Sequence, residues 1–423
     1  MHAVRVTVSV LDVRRSAWPG ELLRWVVALA LIGALTGAAC AGFLVALAWA
    51  QTTRTGWPWL ILGLPVAGWI MGWYYQRYGA AIAGGTDQVI TEAQAPQTRL
   101  PLRMAPMIVL ATVATHLFGG SAGREGTAVQ MGAALADQLG RWSRWAQRER
   151  RFLLMAGMSA GFGALFGTPW AGAIFAMEVL VSGRLVIRAA VPCIATAWLG
   201  NAVVLALGVP HAHYAVAIIP NLDWAMLGWV LVTGLLFGLA ARAFVVTQEN
   251  IRHLAVRFLP QLKWRALVGG LIVLSVVAVI GVTCGTMAGA TRYLGLGIPL
   301  IHEAQESVLP LPDCLLKMLL TAITLAFGFK GGEVTPLFVI GATLGSALSL
   351  WIPLPVDLLA ALGLVAVFAA AANVPLACTV MAGELFGPEI FVYAALVCAV
   401  AYTVSGHPGI YRTQKLGTRK WLP

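Results

Sequence analysis

Residues 167–178 read Gly-Thr-Pro-Trp-Ala-Gly-Ala-Ile-Phe-Ala-Met-Glu, and residues 374–384 read Val-Pro-Leu-Ala-Cys-Thr-Val-Met-Ala-Gly-Glu. In both stretches a proline (Pro169, Pro375) stands nine residues before a glutamate, and the two glutamates are 206 positions apart. A similar apolar segment that occurs twice at a large separation indicates an internal repeat. A repeat constrains the whole fold more than any single residue does.

Two further matches occur in the same order along the chain. Gly-Arg-Glu-Gly-Thr at 123–127 resembles Gly-Gly-Glu-Val-Thr at 331–335, with an offset of 208 between the glutamates. Residues 84–93 resemble residues 295–304 at an offset of 211. Any one match is weak because Gly, Ala and Glu are common in such helices, but three in one order at nearly constant offset are hard to attribute to chance. We therefore expect two related halves, at about 25–208 and 223–415.

The composition indicates that these halves lie in a lipid bilayer. Hydrophobic residues make up 59% of the 423 residues and charged residues only 11%, whereas a soluble chain carries roughly 25% charged residues. The mean hydropathy is +0.82. Apolar runs lie near 25–50, 57–75, 104–118, 127–139, 152–181, 187–208, 223–247, 265–290, 313–328, 334–350, 355–372, 373–386 and 389–404.

Several of these runs are shorter than the roughly 20 residues that a spanning helix needs. Short runs punctuated by glycine are typical of half-membrane or broken helices. The sequence therefore predicts an all-α, polytopic membrane protein with many short, tilted or broken helices. A two-fold repeat of spans is the usual architecture of a transporter, whose site lies where the halves meet. We expect the halves to be inverted, although the span boundaries leave the number of crossings in each half open.

The net charge of +11 lies beside the predicted spans and not in a nucleic-acid-binding patch. Basic residues cluster in one connection, precede the first span and close the chain: Arg141, Arg144, Arg148, Arg150, Arg151; Arg5, Arg14, Arg15, Arg24; Arg412, Lys415, Arg419, Lys420. Short basic segments beside spans mark the cytoplasmic side of a membrane. We expect both termini and the 141–151 connection to be cytoplasmic, and no nucleic acid as a partner.

No composition shift or long linker divides the chain. We expect residues 1–423 to form a single transmembrane transport domain without a soluble regulatory domain, and the first apolar run to be retained as a span. The six cysteines stand singly in apolar surroundings. They are interpreted as small buried hydrophobic residues, since their spacing fits neither a metal site nor a disulfide framework.

Residues 119–127, Gly-Gly-Ser-Ala-Gly-Arg-Glu-Gly-Thr, join two apolar runs and open the next helix. Glycines let the backbone approach an ion, and the free N–H groups of a first helical turn attract anions. Glu125 stands where an external anion would bind, so its carboxylate can occupy the anion site and leave it when protonated. The helix that follows is roughly 22 Å long, which places Glu125 beyond the midplane as an outer gate. The alternative is that Glu125 only caps its helix.

Residues 330–336, Lys-Gly-Gly-Glu-Val-Thr-Pro, form a second loop of this kind. Gly332 frees the backbone, and Thr335 can present its hydroxyl to an anion. Glu333 is a candidate proton carrier or a residue that structures the pore. The alternative interpretation is a structural salt bridge, for example to Lys330.

In this order and spacing, over about residues 25–415, the motifs resemble those of the CLC chloride channels and proton-coupled antiporters. Chloride-handling members usually carry Gly-Arg-Glu-Gly-Pro and a Gly-x-Phe-x-Pro loop. Here Thr127 follows Gly-Arg-Glu-Gly, and Gly-Glu-Val-Thr-Pro fills 332–336. Both features, with the tail at 405–414, are similar to one branch, the bacterial fluoride–proton antiporters called CLC-F.

The resemblance implies a CLC-like fold of 18 helical segments and a homodimer with a separate anion pathway in each subunit. It also implies export of fluoride across the bacterial cytoplasmic membrane, driven by inward proton flow, with no cofactor or metal. Glu125 would be the gating glutamate, and Tyr411 would close the inner side of the anion site, whereas Tyr402 is interpreted as packing. The anion pathway would also include Gly123, Gly126, Thr127, Gly332, Glu333, Val334 and Thr335.

One position departs from the chloride-handling pattern. Those members hold Gly-Ser-Gly-Ile-Pro in the first half, where a hydroxyl binds the central anion. Counting back from Glu125 places Gly-Gly-Thr-Asp-Gln at 84–88 there, so we assign Thr86 to the anion pathway. Gly-Leu-Gly-Ile-Pro at 295–299 resembles that motif, but it lies in the second half, and its repeat position argues against a role at the same site.

Two other classes of function stay open from the residues alone. The first is a chloride–proton antiporter or a passive chloride channel of the same fold. The second is a membrane enzyme, which would need a metal cluster or a nucleophile–base pair, and the seven dispersed histidines do not favour it. His116, near Glu125, is interpreted as a core histidine, with a proton relay as the alternative.

Overall fold

The computed structural model describes residues 18–142, 147–212, 214–217, 219–221, 223–418 and 420. Arg5, Arg14, Arg15, Arg144 and Arg419, which the sequence analysis places on the cytoplasmic side, lie outside the described residues, as does the side chain of Arg148. The described part of the chain contains seventeen α-helices: Trp18–Gly56 (α1), Leu64–Tyr78 (α2), Gly85–Gln94 (α3), Met104–Leu117 (α4), Glu125–Trp142 (α5), Gln147–Phe166 (α6), Pro169–Glu178 (α7), Ala190–Ala206 (α8), Trp224–Phe258 (α9), Leu262–Cys284 (α10), Met287–Thr291 (α11), Ile298–Glu306 (α12), Leu311–Ala326 (α13), Val334–Leu348 (α14), Val356–Ala372 (α15), Pro375–Phe386 (α16) and Phe391–Val404 (α17). Two short parallel strands, Val181–Ser182 (β1) and Lys415–Leu416 (β2), join the end of α7 to the C-terminal segment.

The all-α membrane architecture predicted from composition is confirmed. Within the described ranges, four helices are long and apolar enough to cross a bilayer, over 19–56, 187–206, 224–258 and 262–283. The other apolar helices are shorter. The run at 152–181, which the sequence presents as one apolar stretch, is two helices, because Gly167 has a positive φ of 74° that ends α6 and Pro169 then starts α7. Helices α3 and α12 fall outside the predicted runs because each is half polar.

Two pairs of helices pack backbone to backbone at the centre. Gly132 on α5 faces Gly157 on α6, and Gly341 on α14 faces Gly363 on α15. A Cβ atom at any of these four glycines would overlap the carbonyl group opposite it. Small residues that let helices approach closely are a common means of packing in membranes, where lipid is as apolar as leucine. The same contact recurs in both halves of the predicted repeat.

The stretches that begin with Pro169 and Pro375 form α7 and α16. The glutamate near the C-terminal end of each helix contacts the first turn of the other helix. The Glu178 carboxylate accepts hydrogen bonds from the backbone N–H groups of Leu376 (3.1 Å) and Ala377 (2.8 Å). The Glu384 carboxylate accepts from Trp170 (2.9 Å) and Ala171 (2.8 Å). Each glutamate thus satisfies first-turn N–H groups that have no partner within their own helix.

Arg150 differs from the other arginines of the 141–151 connection. It is fully buried, and its guanidinium pairs with Asp137 on α5 at 2.6 Å and with Glu92 on α3 at 3.0 Å. It therefore ties α3, α5 and α6 together, a structural role that its place in the basic connection did not indicate. The five cysteines whose side chains are described are buried and free, as expected.

Candidate functional site

The two glycine-rich loops meet in the interior. The Gly123 N–H donates to the Gly332 carbonyl at 2.7 Å, and the Gly332 N–H donates to the Gly123 carbonyl at 2.8 Å. These loops lead directly into α5 and α14, so the N-terminal ends of two helices converge on one buried place. Both ends carry partial positive charge from N–H groups outside the helical hydrogen-bond ladder. The site therefore suits an anion or a carboxylate.

Glu125 is the carboxylate at this place and is 1% exposed. Its Oε2 accepts from the Arg124 N–H at 3.0 Å, and its Oε1 accepts from the Thr335 hydroxyl. A Cβ built on Gly123 would lie 2.5 Å from Oε2, and one built on Gly332 would lie 2.9 Å from it. Only glycine fits at both positions. The carboxylate is thus held between two backbones and one hydroxyl, the surroundings that a small bound anion would need.

Glu333, the counterpart of Glu125 in the second loop, has different surroundings. Its carboxylate accepts a hydrogen bond from the Gln248 side chain on α9 at 3.2 Å. The Lys330 ammonium lies over the ring of Tyr75, 4.5 Å from its centroid, and no ion pair joins Lys330 to Glu333 among the described residues. The alternative of a structural salt bridge between them was wrong. Glu333 remains as a second carboxylate near the loop pair.

Thr86 lies at the start of α3, close to the first turn of α5. Its hydroxyl oxygen lies 3.3 Å from a Cβ built on Gly126 and accepts from the Gln130 side chain at 3.1 Å. Because that bond uses the oxygen as acceptor, the Thr86 proton is left to donate. The chain therefore brings Thr86 and Gly126 together, although 40 positions separate them in sequence.

Two of the predicted pathway residues, Thr127 and Val334, do not present a side-chain donor to the place where Glu125 lies. The Thr127 hydroxyl hydrogen-bonds the Thr112 hydroxyl on α4 at 2.7 Å, and both residues are fully buried. The structure does not place this hydroxyl with the donors around Glu125. Val334 begins α14 and is 1% exposed within the apolar core, so its polar contribution is limited to its backbone.

Tyr411 lies in the segment after α17 and is buried. Its ring meets the edge of Phe175 with a centroid separation of 6.2 Å. Within the described ranges, that hydroxyl has no hydrogen-bond partner. Tyr402, by contrast, bonds Ser182 at 2.9 Å. Of the two tyrosines, Tyr411 has the hydroxyl that is free to donate to an anion.

The segment that carries Tyr411 is hydrogen-bonded to α3. The Thr413 hydroxyl donates to the Asp87 carbonyl at 2.9 Å, and the Gln94 side chain donates to the Thr413 carbonyl at 2.8 Å. Asp87 and Gln94 belong to α3, the helix that presents Thr86. One short helix therefore positions both hydroxyls, and sequence reasoning gave no signal for this coupling.

An aromatic cluster beside the loops was also missed. Phe162 and Phe175 stack at 4.4 Å between centroids, and Phe338 meets Phe368 edge to face at 5.5 Å. Ring edges carry partial positive charge, so these rings can face an anion without trapping it as a lysine would. The only sequence signal was Phe175 inside the repeated α7 stretch, where it is indistinguishable from a packing residue.

Two cavities approach the buried cluster. One of about 550 Å³ is lined by Tyr411, Arg412 and Glu249, among others. A second, narrow cavity of about 20 Å³ is lined by Arg124, Tyr214, Thr335 and Phe338. The contact between Glu125 and Thr335 stands beside the narrow cavity, so the approach from the Tyr411 side is open and the other one is constricted.

His116 does not take part in this cluster. Its Nδ1 lies 2.8 Å from the Thr112 carbonyl and its Nε2 lies 3.0 Å from the Ala122 carbonyl. Since both ring nitrogens are engaged with backbone oxygens, the histidine serves to fix the loop before Glu125. In the part of the chain that the structure describes, no three His, Cys, Asp or Glu side chains come together as a metal site requires.

Comparisons with known proteins agree with this geometry. The family model described as voltage gated chloride channel matches residues 66–406. A relative from Pseudomonas syringae pv. tomato, named chloride/fluoride channel protein, is 44% identical over 94% of this chain and 88% of its own length. The crystal structure of a CLC-type fluoride/proton antiporter superposes with a TM-score of 0.89 at 36% identity, covering 94% of this chain and 99% of the other. A slow cyanobacterial Cl⁻/H⁺ antiporter shares the fold, with a TM-score of 0.76 at 20% identity over 90% of this chain and 94% of the other.

Proposed function

The chain belongs to the voltage gated chloride channel (CLC) family of ion channels and transporters, and we propose that it is a proton-coupled antiporter that exports fluoride. The observation that carries the proposal is the position of Glu125. Its carboxylate lies between the paired loops, held by the Arg124 N–H and the Thr335 hydroxyl. A group that a proton neutralises thus occupies the place that suits an anion.

The proposed cycle uses competition for these donors. An ionised Glu125 carboxylate satisfies the N–H groups and the Thr335 hydroxyl and excludes a bound anion. When Glu125 takes up a proton, its affinity for the positive helix ends falls, and fluoride can take the donors instead. Because the same side chain binds the proton and competes with fluoride for the donors, proton movement in one direction drives fluoride in the other.

The names of two relatives and the hydrogen-bond donors at the site support fluoride as the transported anion. The Pseudomonas syringae relative and the CLC-type antiporter both carry fluoride in their names. Fluoride is small and strongly hydrated, so a site must replace its water with short, strong donors, and hydrogen bonds to an ionised acceptor are roughly twice as strong as neutral ones. The hydroxyls of Thr86, Thr335 and Tyr411 are donors of that kind. A chloride–proton antiporter or a passive chloride channel is the rival within the same family.

We place the protein in the bacterial cytoplasmic membrane with its termini and the 141–151 connection inside the cell. The cavity beside Tyr411 then opens to the cytoplasm, and the narrow cavity beside Arg124 opens outward. We also propose a homodimer that buries an apolar face formed by α7, α8, α16 and α17. Large exposed side chains on that face are Trp170, Trp198, Leu205, Leu376, Phe391 and Val392.

The test is ion efflux from liposomes that contain the purified protein. An ion-selective electrode should record fluoride release far faster than chloride release at equal concentration gradients, and an imposed proton gradient should drive fluoride uphill. Equal rates for the two halides would contradict the fluoride assignment and favour the chloride rival. Fluoride release that ignores the proton gradient would contradict antiport.

A further inference from the structure

A second cationic cavity lies at the end of α1, away from the Tyr411 cavity. It has a volume of about 370 Å³, and its lining includes Arg54, Arg292, Gly297 and Glu303. In the orientation proposed above, α1 begins inside the cell and its last turn is outside. The cavity is therefore on the outer surface.

Arg54 is the reason to consider this cavity as a binding site. The residue is only 9% exposed, and its Nε has no hydrogen-bond partner. No carboxylate pairs with its guanidinium in the described part of the chain. Its Nη2 lies 3.3 Å from a Cβ built on Gly295, so the group points at the turn before α12. A buried cation without a partner is costly unless an anion joins it.

Lys317 on α13 is a second buried basic side chain behind the same turn. It is fully buried, and its ammonium donates to the carbonyls of Tyr293 at 3.0 Å and Gly295 at 2.9 Å. It too has no carboxylate partner among the described residues. The carboxylate that lines the cavity, Glu303, is bound to Arg292 at 2.8 Å. Arg292 also contacts the buried carboxylate of Asp313 at 3.3 Å, so Arg54 is the lining cation that no carboxylate neutralises in the described ranges.

The turn itself is the repeat counterpart of the turn that presents Thr86. Residues 295–297 correspond to 84–86 at the offset of 211; α12 begins directly after the first segment, and α3 begins within the second. The glutamates correspond too, since Glu92 pairs with Arg150 and Glu303 with Arg292. Gly297 starts α12 with a φ of 78° and no side-chain cap. The second half thus repeats the arrangement of the first on the opposite face.

The cavity also contacts the loop that leads to the gate. A Cβ on Gly119 would lie 3.6 Å from Cδ of Arg54, and the Gly295 N–H donates to the Gly120 carbonyl at 3.2 Å. An ion held at Arg54 is therefore next to the segment 119–125 that ends in Glu125.

We propose that this cavity is an outer halide site, in which Arg54 binds a single halide ion beside the gate loop and so sets the apparent affinity for external halide. The inference rests on the proposed transport function for its role, but binding in the cavity does not depend on proton coupling or on a preference for fluoride.

The direct test uses bromide as the probe. Crystals of the full chain soaked in bromide should show an anomalous peak within hydrogen-bond distance of the Arg54 guanidinium. The peak should disappear in Arg54→Gln and persist in Arg77→Gln, a control that removes an exposed arginine from the end of α2. A wild-type cavity without bromide, or an equal peak in Arg54→Gln, would overturn the proposal.

A transport measurement tests the role of the site. In liposomes, Arg54→Gln should raise the half-saturating concentration of external fluoride about tenfold, as expected when a hydrogen bond to a charged group is lost. Arg54→Lys should restore most of the affinity, which a merely structural role would not predict. Unchanged external affinity in Arg54→Gln would overturn the role. If wild type moves chloride as fast as fluoride yet binds bromide at Arg54, the transport assignment fails and the site stands.

Discussion

Two pairs of glutamates are related by the same repeat, yet they behave differently. Glu178 and Glu384 make equivalent, reciprocal contacts: each accepts hydrogen bonds from two N–H groups at the start of the helix in the other half. Glu125 and Glu333 do not. Glu125 is held inside the loop pair by Thr335, whereas Glu333 bonds Gln248 on α9. The repeat has kept its symmetry in the first pair and lost it in the second.

The difference indicates that one pair of glutamates stabilises the fold, whereas the other pair serves transport. Each glutamate of the α7–α16 pair can cap the other helix without hindering the reverse contact, so both halves can retain this interaction. A gate has to open and close on one ion path, and a second identical gate opposite it would occupy the donors that the ion needs. We infer that the α7–α16 pair holds the halves together and that the loop pair has diverged to carry ions. Each prediction below tests one side of this contrast.

The largest effect is expected for Glu125→Gln. Glutamine keeps the size of the side chain but cannot ionise, so it cannot exchange places with an anion by taking up a proton. We expect loss of proton-coupled fluoride movement, seen either as stalled transport or as an uncoupled leak. Simultaneous recording of fluoride efflux and pH in the same liposomes would show it.

The matched control is Glu384→Gln, the same chemical change at the symmetric pair, which should retain uphill fluoride transport. If Glu125→Gln pumps fluoride uphill at the wild-type rate, Glu125 is a helix cap and the gate lies elsewhere.

The next effect concerns the hydroxyl donors around the gate. Thr335→Val and Tyr411→Phe each remove one donor, and the loss of a hydrogen bond to a charged group costs about 1.5–3 kcal/mol. Fluoride affinity or transport rate should therefore fall about 10- to 100-fold, measured as initial efflux over a range of fluoride concentrations. Thr343→Val is the control on the same helix, because that hydroxyl donates to the Val339 and Ile340 carbonyls of α14. Equal behaviour of Thr335→Val and Thr343→Val would remove Thr335 from the pathway.

The sequence predicted the parts of this contrast that depend on spacing and backbone freedom. Both loop glutamates lie in glycine-containing segments, and the repeat offset indicated that the loops correspond. The structure joins them through Gly123 and Gly332. Thr86 could be located only by counting, yet it lies beside Gly126 because α3 begins next to the first turn of α5.

What the sequence could not supply was the direction of side chains. Thr127 and Thr335 occupy equivalent positions in the two loops, but Thr127 bonds Thr112 on α4 and Thr335 bonds Glu125. The rotation of each helix against its neighbours decides this, and no local pattern records that rotation. For the same reason the sequence left open a salt bridge between Lys330 and Glu333, whereas Lys330 lies over Tyr75 on α2. Phe175, Phe338 and Phe368 were missed because an aromatic ring beside an ion path has the same sequence signature as one in a core.

The smallest effect, on transport, is expected at the symmetric pair, and here stability is the informative measurement. Glu178→Gln and Glu384→Gln each keep one carbonyl acceptor and lose the second, so one first-turn N–H in the opposite helix is left without its bond. Such a loss costs about 1–3 kcal/mol. The cost should be larger for Glu178, which is 2% exposed, than for the half-buried Glu384. Thermal unfolding in detergent should show a lower melting temperature than wild type for both variants, with Glu178→Gln the lower of the two.

The ratio of protons to fluoride moved should stay at its wild-type value in both variants, because neither side chain touches the loop pair. A variant of this pair that unfolds normally but loses coupling would show that α7 and α16 take part in gating, and the division between supporting and functional glutamates would then fail.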